Sequence, residues 1–237
     1  MKNKPDSEGY YEEYYSVLDT LYLIKLNRIG RSLSTEELSF LIGRSANYME
    51  SKEDLSVGDL TVKDLYWIAA AFYLPPTMIF MRNSHRDKKV KVKVSKVKQQ
   101  GIICHTAEMQ NDSRAPELLF KLYEYKVPLT KKDKEKDAQQ LSLLIKTIGN
   151  LLQQTYFNKG FRRPLEIYDH CSAITKIYIR PYLLKKALKT HCASDKKPRL
   201  KKIFHATEGF VYEKYSGETE AQNLKLETAN KSNESRR

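Results

Sequence analysis

The sequence predicts a mainly α protein built from a five-helix domain over residues 17–83, followed by a smaller, basic α+β domain over 138–216. Three observations predict this. Apolar side chains recur every three to four residues from Leu18 to Phe80, punctuated by capping residues and glycines. A long amphipathic pattern at 138–155 carries Leu141, Leu144, Ile145, Ile148, Leu151 and Leu152 on one side. Two alternating runs around Glu208-Gly209 read as a β-hairpin. The length, 237 residues, suits two small domains.

Taken in order, residues 1–16 form an N-terminal arm whose Tyr-Tyr-Glu-Glu-Tyr-Tyr run at 10–15 starts the first helix or packs on it. Leu18, Leu21 and Tyr22 follow helical spacing, and Gly30 closes that segment. Ser34 and Glu37 form a capping box for a helix at 35–42, which Gly43 ends. Ser45 caps a helix at 45–53, and 54–60 is a loop. Thr61 caps a helix at 62–74 with Leu65, Ile68, Ala69 and Phe72 inward. Pro75-Pro76 stops it, and Pro76 opens a last short helix through Phe80. Residues 84–137 are a basic linker and connecting segment. Its Lys-Lys-Val-Lys-Val-Lys-Val run alternates, as in an edge strand or a solvated linker. Residues 107–116 read as loop, and 117–126 as helix or strand. After the 138–155 helix come short helices at 164–173 and 182–192 and the hairpin. The polar tail at 217–237 is expected to be disordered.

Charge is unevenly spread. The chain has 42 Lys plus Arg against 29 Asp plus Glu, a net of +13. Residues 17–83 carry a net of −1, whereas 141–216 carry +10. That excess favours an anionic partner, nucleic acid first. Cys104, Cys171 and Cys192 are too few and scattered for a disulfide framework. No stretch approaches the ~20 apolar residues of a membrane helix, and residues 1–9 are polar, without a signal-peptide pattern. A cytoplasmic, nucleoid-associated protein without a membrane partner is expected.

Residues 33–53 read Leu-Ser-Thr-Glu-Glu-Leu-Ser-Phe-Leu-Ile-Gly-Arg-Ser-Ala-Asn-Tyr-Met-Glu-Ser-Lys-Glu. Two short helices flank a tight glycine turn, the helix-turn-helix pattern. With Leu65 to Phe72 and Met78-Ile79-Phe80, this stretch resembles the lambda-repressor-like, Cro-type (XRE) helix-turn-helix family over about residues 17–80. The resemblance implies a DNA-binding transcriptional regulator, with Thr35, Arg44, Ser45, Ala46, Asn47, Glu50 and Ser51 facing duplex DNA. Donor–acceptor geometry suits Asn47 to adenine and Glu50 to cytosine. Ser45 or Arg44 suits phosphate. Lys52 departs from the family's apolar pattern, and Glu36, Glu37, Glu50, Glu53 and Asp54 leave the motif acidic. The alternative is therefore a protein–protein interaction or dimerisation module that keeps the fold without reading DNA.

The order helix, strand, helix, helix, hairpin over 138–216 resembles, more weakly, a winged helix. On that likeness Arg180, Lys185, Lys186 and Lys189 line a recognition helix, and Lys196, Lys197, Arg199, Lys201 and Lys202 sit on or beside the wing, adding phosphate contacts. The expected assembly is a homodimer. No effector, cofactor or metal is implied. Each cysteine neighbours a histidine, but no Cys-x-x-Cys or His-x-x-x-His pair exists. There is no phosphate loop, dinucleotide fingerprint or nucleophile elbow, so an enzyme is not expected.

Overall fold

The computed structural model describes residues 7–55, 60–79, 88–110, 115–126, 128–195 and 198–215. The chain divides into two units, Met1–Glu135 and Lys136–Arg237. No helix among the described residues is long and apolar enough to cross a membrane.

The first unit opens with strand β1 (Ser7–Tyr14), which runs directly into helix α1 (Tyr15–Gly30). Along α1, Leu18, Leu21, Ile24, Lys25 and Arg28 are buried, a stripe at three- to four-residue spacing that includes two cations. Helix α2 (Thr35–Leu41) starts at the Ser34–Glu37 capping box. Helix α3 (Tyr48–Glu53) follows the turn, where Gly43 takes φ +72°. Helix α4 (Val62–Ala71) starts at a second capping box, Thr61–Asp64, and a 3-10 turn (Pro76–Met78) follows. Leu38, Met49, Ile68, Phe72 and Ile79 form the centre of this helical part.

Strands β2 (Lys89–Gln99), β3 (Ile102–Gln110) and β4 (Glu117–Tyr125) join β1 in an antiparallel sheet of order β1-β2-β3-β4. One sheet face packs on α1 through Leu18, Val92 and Ala107, with Tyr11, Val90, Val94, Leu119 and Phe120 around them. This corrects the predicted fold class. Among the described residues the first domain is α+β, with four α-helices and a four-stranded sheet, not five helices with an arm and a linker. Residues 10–14 are strand rather than helix start, and 107–110 are strand rather than loop. The Lys-Val run lies inside the sheet, not at its edge. The physical reason is pairing. Val90, Val92 and Val94 need apolar cover on one side and hydrogen-bonded neighbours on both edges. The neighbours are β1 and β3, far apart in sequence.

The second unit takes most of helix α5 (Lys131–Gln153), then α6 (Pro164–Thr175), α7 (Pro181–Cys192) and the hairpin of β5 (Arg199–His205) and β6 (Gly209–Tyr215). Leu144, Ile148, Leu151, Ile167, Leu183, Leu184, Leu188 and Val211 are buried in it. Arg162 forms an isolated antiparallel bridge to Tyr212, so the stretch before α6 lies alongside β6. Gly209 at φ +76° lets the hairpin turn. Phe80, residues 81–87, Lys196, Lys197 and the tail from 216 lie outside the described residues, as do 1–6, 56–59 and 111–114.

Candidate nucleic-acid interface

In the helix-turn-helix segment, local hydrogen bonds set the angle between α2 and α3. Helix α3 begins at Tyr48 rather than at Ser45, and the expected Ser45 side-chain cap does not form; the Ser45 backbone carbonyl accepts from the Tyr48 amide (3.0 Å). Instead the Ser39 hydroxyl donates to the Thr35 carbonyl (2.7 Å) and accepts from the Met49 amide (2.9 Å), joining the two helices. Asp64 ties in α4. It accepts from Thr61, from Arg44 Nε (2.9 Å) and from the Tyr48 hydroxyl (2.6 Å). Burial opposes ionisation of Asp64, but these donors hold its carboxyl below the usual range.

The residues predicted to face DNA divide in two groups. Ser45, Ala46 and Asn47 are exposed. Arg44 is half-buried and committed to Asp64, with its guanidinium 5.5 Å from the Tyr48 ring centre. Ser51 donates to the Tyr48 carbonyl (2.8 Å). Glu50 is exposed but pairs with Lys96 of β2 at 3.1 Å, and Asp54 lies 3.9 Å from the same ammonium. Burial opposes that charge, yet the two carboxylates hold Lys96 above its ordinary value. Thr35 and Glu50 border a small pocket of about 40 Å³ with Lys96, His105, Glu124 and Lys126. The sheet therefore borders the face of α3 that carries Glu50.

This pocket is lined by an ionic network that was not predicted from the sequence. Arg28, fully buried, binds both Glu53 oxygens (2.6 and 2.8 Å), the Leu33 carbonyl (2.8 Å) and Glu124 (3.1 Å). Lys25 donates to the Glu53 carbonyl at 3.2 Å. His105 Nε2 lies 3.1 Å from Glu124. Burial disfavours ionised Glu124, but the His105 hydrogen bond and the Arg28 charge bring it to about 2. Burial pushes His105 below its ordinary value, against the pull of Glu124. A signal for the network was present in the sequence. Lys25 and Arg28 fall on the stripe set by Leu18 and Leu21, where a cation requires a buried partner. Lys52 also turns inward and lies 5.2 Å from the Tyr48 ring centre.

The second unit gathers the other predicted residues. On α7 the apolar side holds Leu183, Leu184, Ala187 and Leu188, while Lys186 and Lys189 are exposed and Lys185 is half-buried. Arg180, just before α7, pairs with Asp137 at 3.3 Å, and the Tyr182 hydroxyl bonds the same carboxylate. Arg199 stacks on Tyr215 (4.5 Å), and Lys201 lies 5.8 Å from that ring. Lys202 sits 3.9 Å from the Phe210 ring centre. Partial burial lowers its pKa first, and the nearby Lys185 ammonium lowers it further. Helix α7 packs against β5 of the hairpin, and Lys186 and Lys189 lie on its exposed surface.

Comparison with known proteins found no matching family model, no matching curated protein and no matching solved structure.

Proposed function

We propose that this protein is a DNA-binding transcriptional regulator whose second unit supplies the main duplex contacts. The observation that carries the reading is the cationic exposed side of α7, with Lys186 and Lys189, on a helix that packs against β5 of the hairpin, where Lys201 and Lys202 are exposed. A helix seated in a major groove and a hairpin over the flanking backbone would put these cations against phosphates, where counterion release supplies affinity. In this unit α7 and the hairpin of β5 and β6 follow one another, which supports engagement of helix and hairpin together. In the first unit, exposed Ser45, Ala46 and Asn47 remain the residues suited to contact bases or backbone. A homodimer on a two-fold operator, at the nucleoid, is the assembly in keeping with this reading.

One observation favours a second reading for the first unit. Arg44 and Glu50, two of its best-suited DNA contacts, are engaged by Asp64 and Lys96. A unit so committed fits binding to protein, including its own copy, rather than base readout.

Amide chemical-shift mapping of the full chain with a mixed-sequence duplex tests the proposal. Shifts concentrated at 182–190 and 201–210 are expected, with smaller ones at 45–47. Shifts confined to other regions, or none, would overturn it.

A further inference from the structure

The sheet of the first unit has a second face, turned away from α1. Alternation along the strands places Tyr10 and Tyr14 of β1, Lys89, Lys91 and Lys93 of β2, and Lys121, Tyr123 and Tyr125 of β4 on it. Its tyrosines are open. Tyr10 is 64% exposed, Tyr123 47% and Tyr125 68%. Three lysines lie against these rings, Lys93 at 5.5 Å from the Tyr10 centre, Lys89 at 5.2 Å from Tyr14 and Lys121 at 5.4 Å from Tyr123. Glu8, Glu12 and Glu108 share the face, and Glu8 is held by Lys93 (3.1 Å) and the Tyr10 hydroxyl (3.0 Å). Because Glu8 is so held, the tyrosine rings are flanked mainly by lysine ammonium groups.

From this arrangement we infer that the open sheet face binds single-stranded nucleic acid. Unpaired bases stack on exposed rings without regard to sequence, while cations beside the rings meet the backbone phosphates. Each lysine resting on a tyrosine occupies the ring surface that a base would take. On binding, the ammonium swings from ring to phosphate and the base replaces it. Tyr123 and Tyr125, two residues apart on one strand, offer neighbouring rings about 7 Å apart. Tyr10 and Tyr14 add two more rings on the opposite rim, four residues and about 13 Å apart. A duplex presents no free base faces and cannot use this surface, so the inference is independent of the proposed role of the second unit.

The test uses the full chain and a fluorescein-labelled oligothymidylate of about 20 nucleotides, longer than the site of one such module. Fluorescence anisotropy is read for the parent, for Tyr123→Ser with Tyr125→Ser, and for Tyr123→Phe with Tyr125→Phe. The serine pair is expected to lose about tenfold or more in affinity, and the phenylalanine pair to stay within about twofold, because stacking needs the ring and not the hydroxyl. Duplex binding by the serine pair stays at the parent level, whereas Lys185→Ala with Lys202→Ala weakens duplex binding. If the serine pair fails to fold, Tyr10→Ser on the other rim carries the same test. Parent-like oligothymidylate binding by the serine variants overturns the inference. So does equal loss in serine and phenylalanine variants, or a serine effect confined to the sedimentation of the protein alone, which would make the face a self-association surface.

Discussion

Arg28 has no exposure and satisfies its guanidinium with two carboxylates and a carbonyl. Taking one partner from a buried pair leaves an uncompensated charge, which costs about 3–5 kcal/mol. Glu53→Ala is therefore expected to lower unfolding stability by that amount in urea denaturation. Lys25 would then lie buried without a carboxylate, and Arg28 would keep only Glu124. The network also makes stability depend on pH. The folded state holds His105 below its ordinary value of 6.5, so on acidification the unfolded chain takes up that proton first. Stability falls as pH drops below about 6.5. Glu124, at about 2 against 4.5 unfolded, adds stability that is fully present above 4.5 and is lost between 4.5 and about 2. His105 faces Lys25, Glu53 and Glu124. His105→Gln, which keeps an N–H donor, should flatten the upper part of this decline, as measured by urea midpoints across pH.

Among the elements, the helix-turn-helix turn was the most legible. Ser34 with Glu37 forms the capping box its spacing implies, Thr61 caps α4 as expected, with Asp64 completing a second box, and Gly43 takes the positive φ that the turn requires. A side chain at Gly43 meets the left-handed penalty, so Gly43→Ala is expected to cost about 1–2 kcal/mol in thermal unfolding. The hairpin around Gly209 was legible for the same reason, since its turn chemistry is local. The sheet of the first unit was not. Tyr10 to Tyr14 has no strong local preference, and only its register against Lys89 to Lys93 makes it a strand. Residues 102–110 likewise become a strand through partners on both sides, one of them β4. Pairing of this kind depends on contacts distant in sequence, which periodicity within a short window does not record. The site divides the same way. The cationic surface of α7 follows from helical spacing, whereas Ser45 to Asn47 are exposed because they lie in the turn before α3. The capture of Glu50 by Lys96 follows only from the sheet.

For the molecule as a whole, charge and architecture point the same way. The +10 excess over residues 141–216 falls in the unit that holds α7 and the hairpin, whereas residues 17–83 have a net of −1 and use their own ion pairs internally. The central claim is that α7 and the β5–β6 hairpin form the surface that engages duplex DNA. Equilibrium binding of the full chain to a mixed-sequence duplex across a salt series tests it most directly. The logarithm of affinity should fall linearly with the logarithm of salt, and Lys185→Ala with Lys202→Ala should make that slope shallower by about 1.8, roughly 0.9 for each phosphate contact removed. A flat salt dependence, or a slope that the double variant leaves unchanged, would contradict the account.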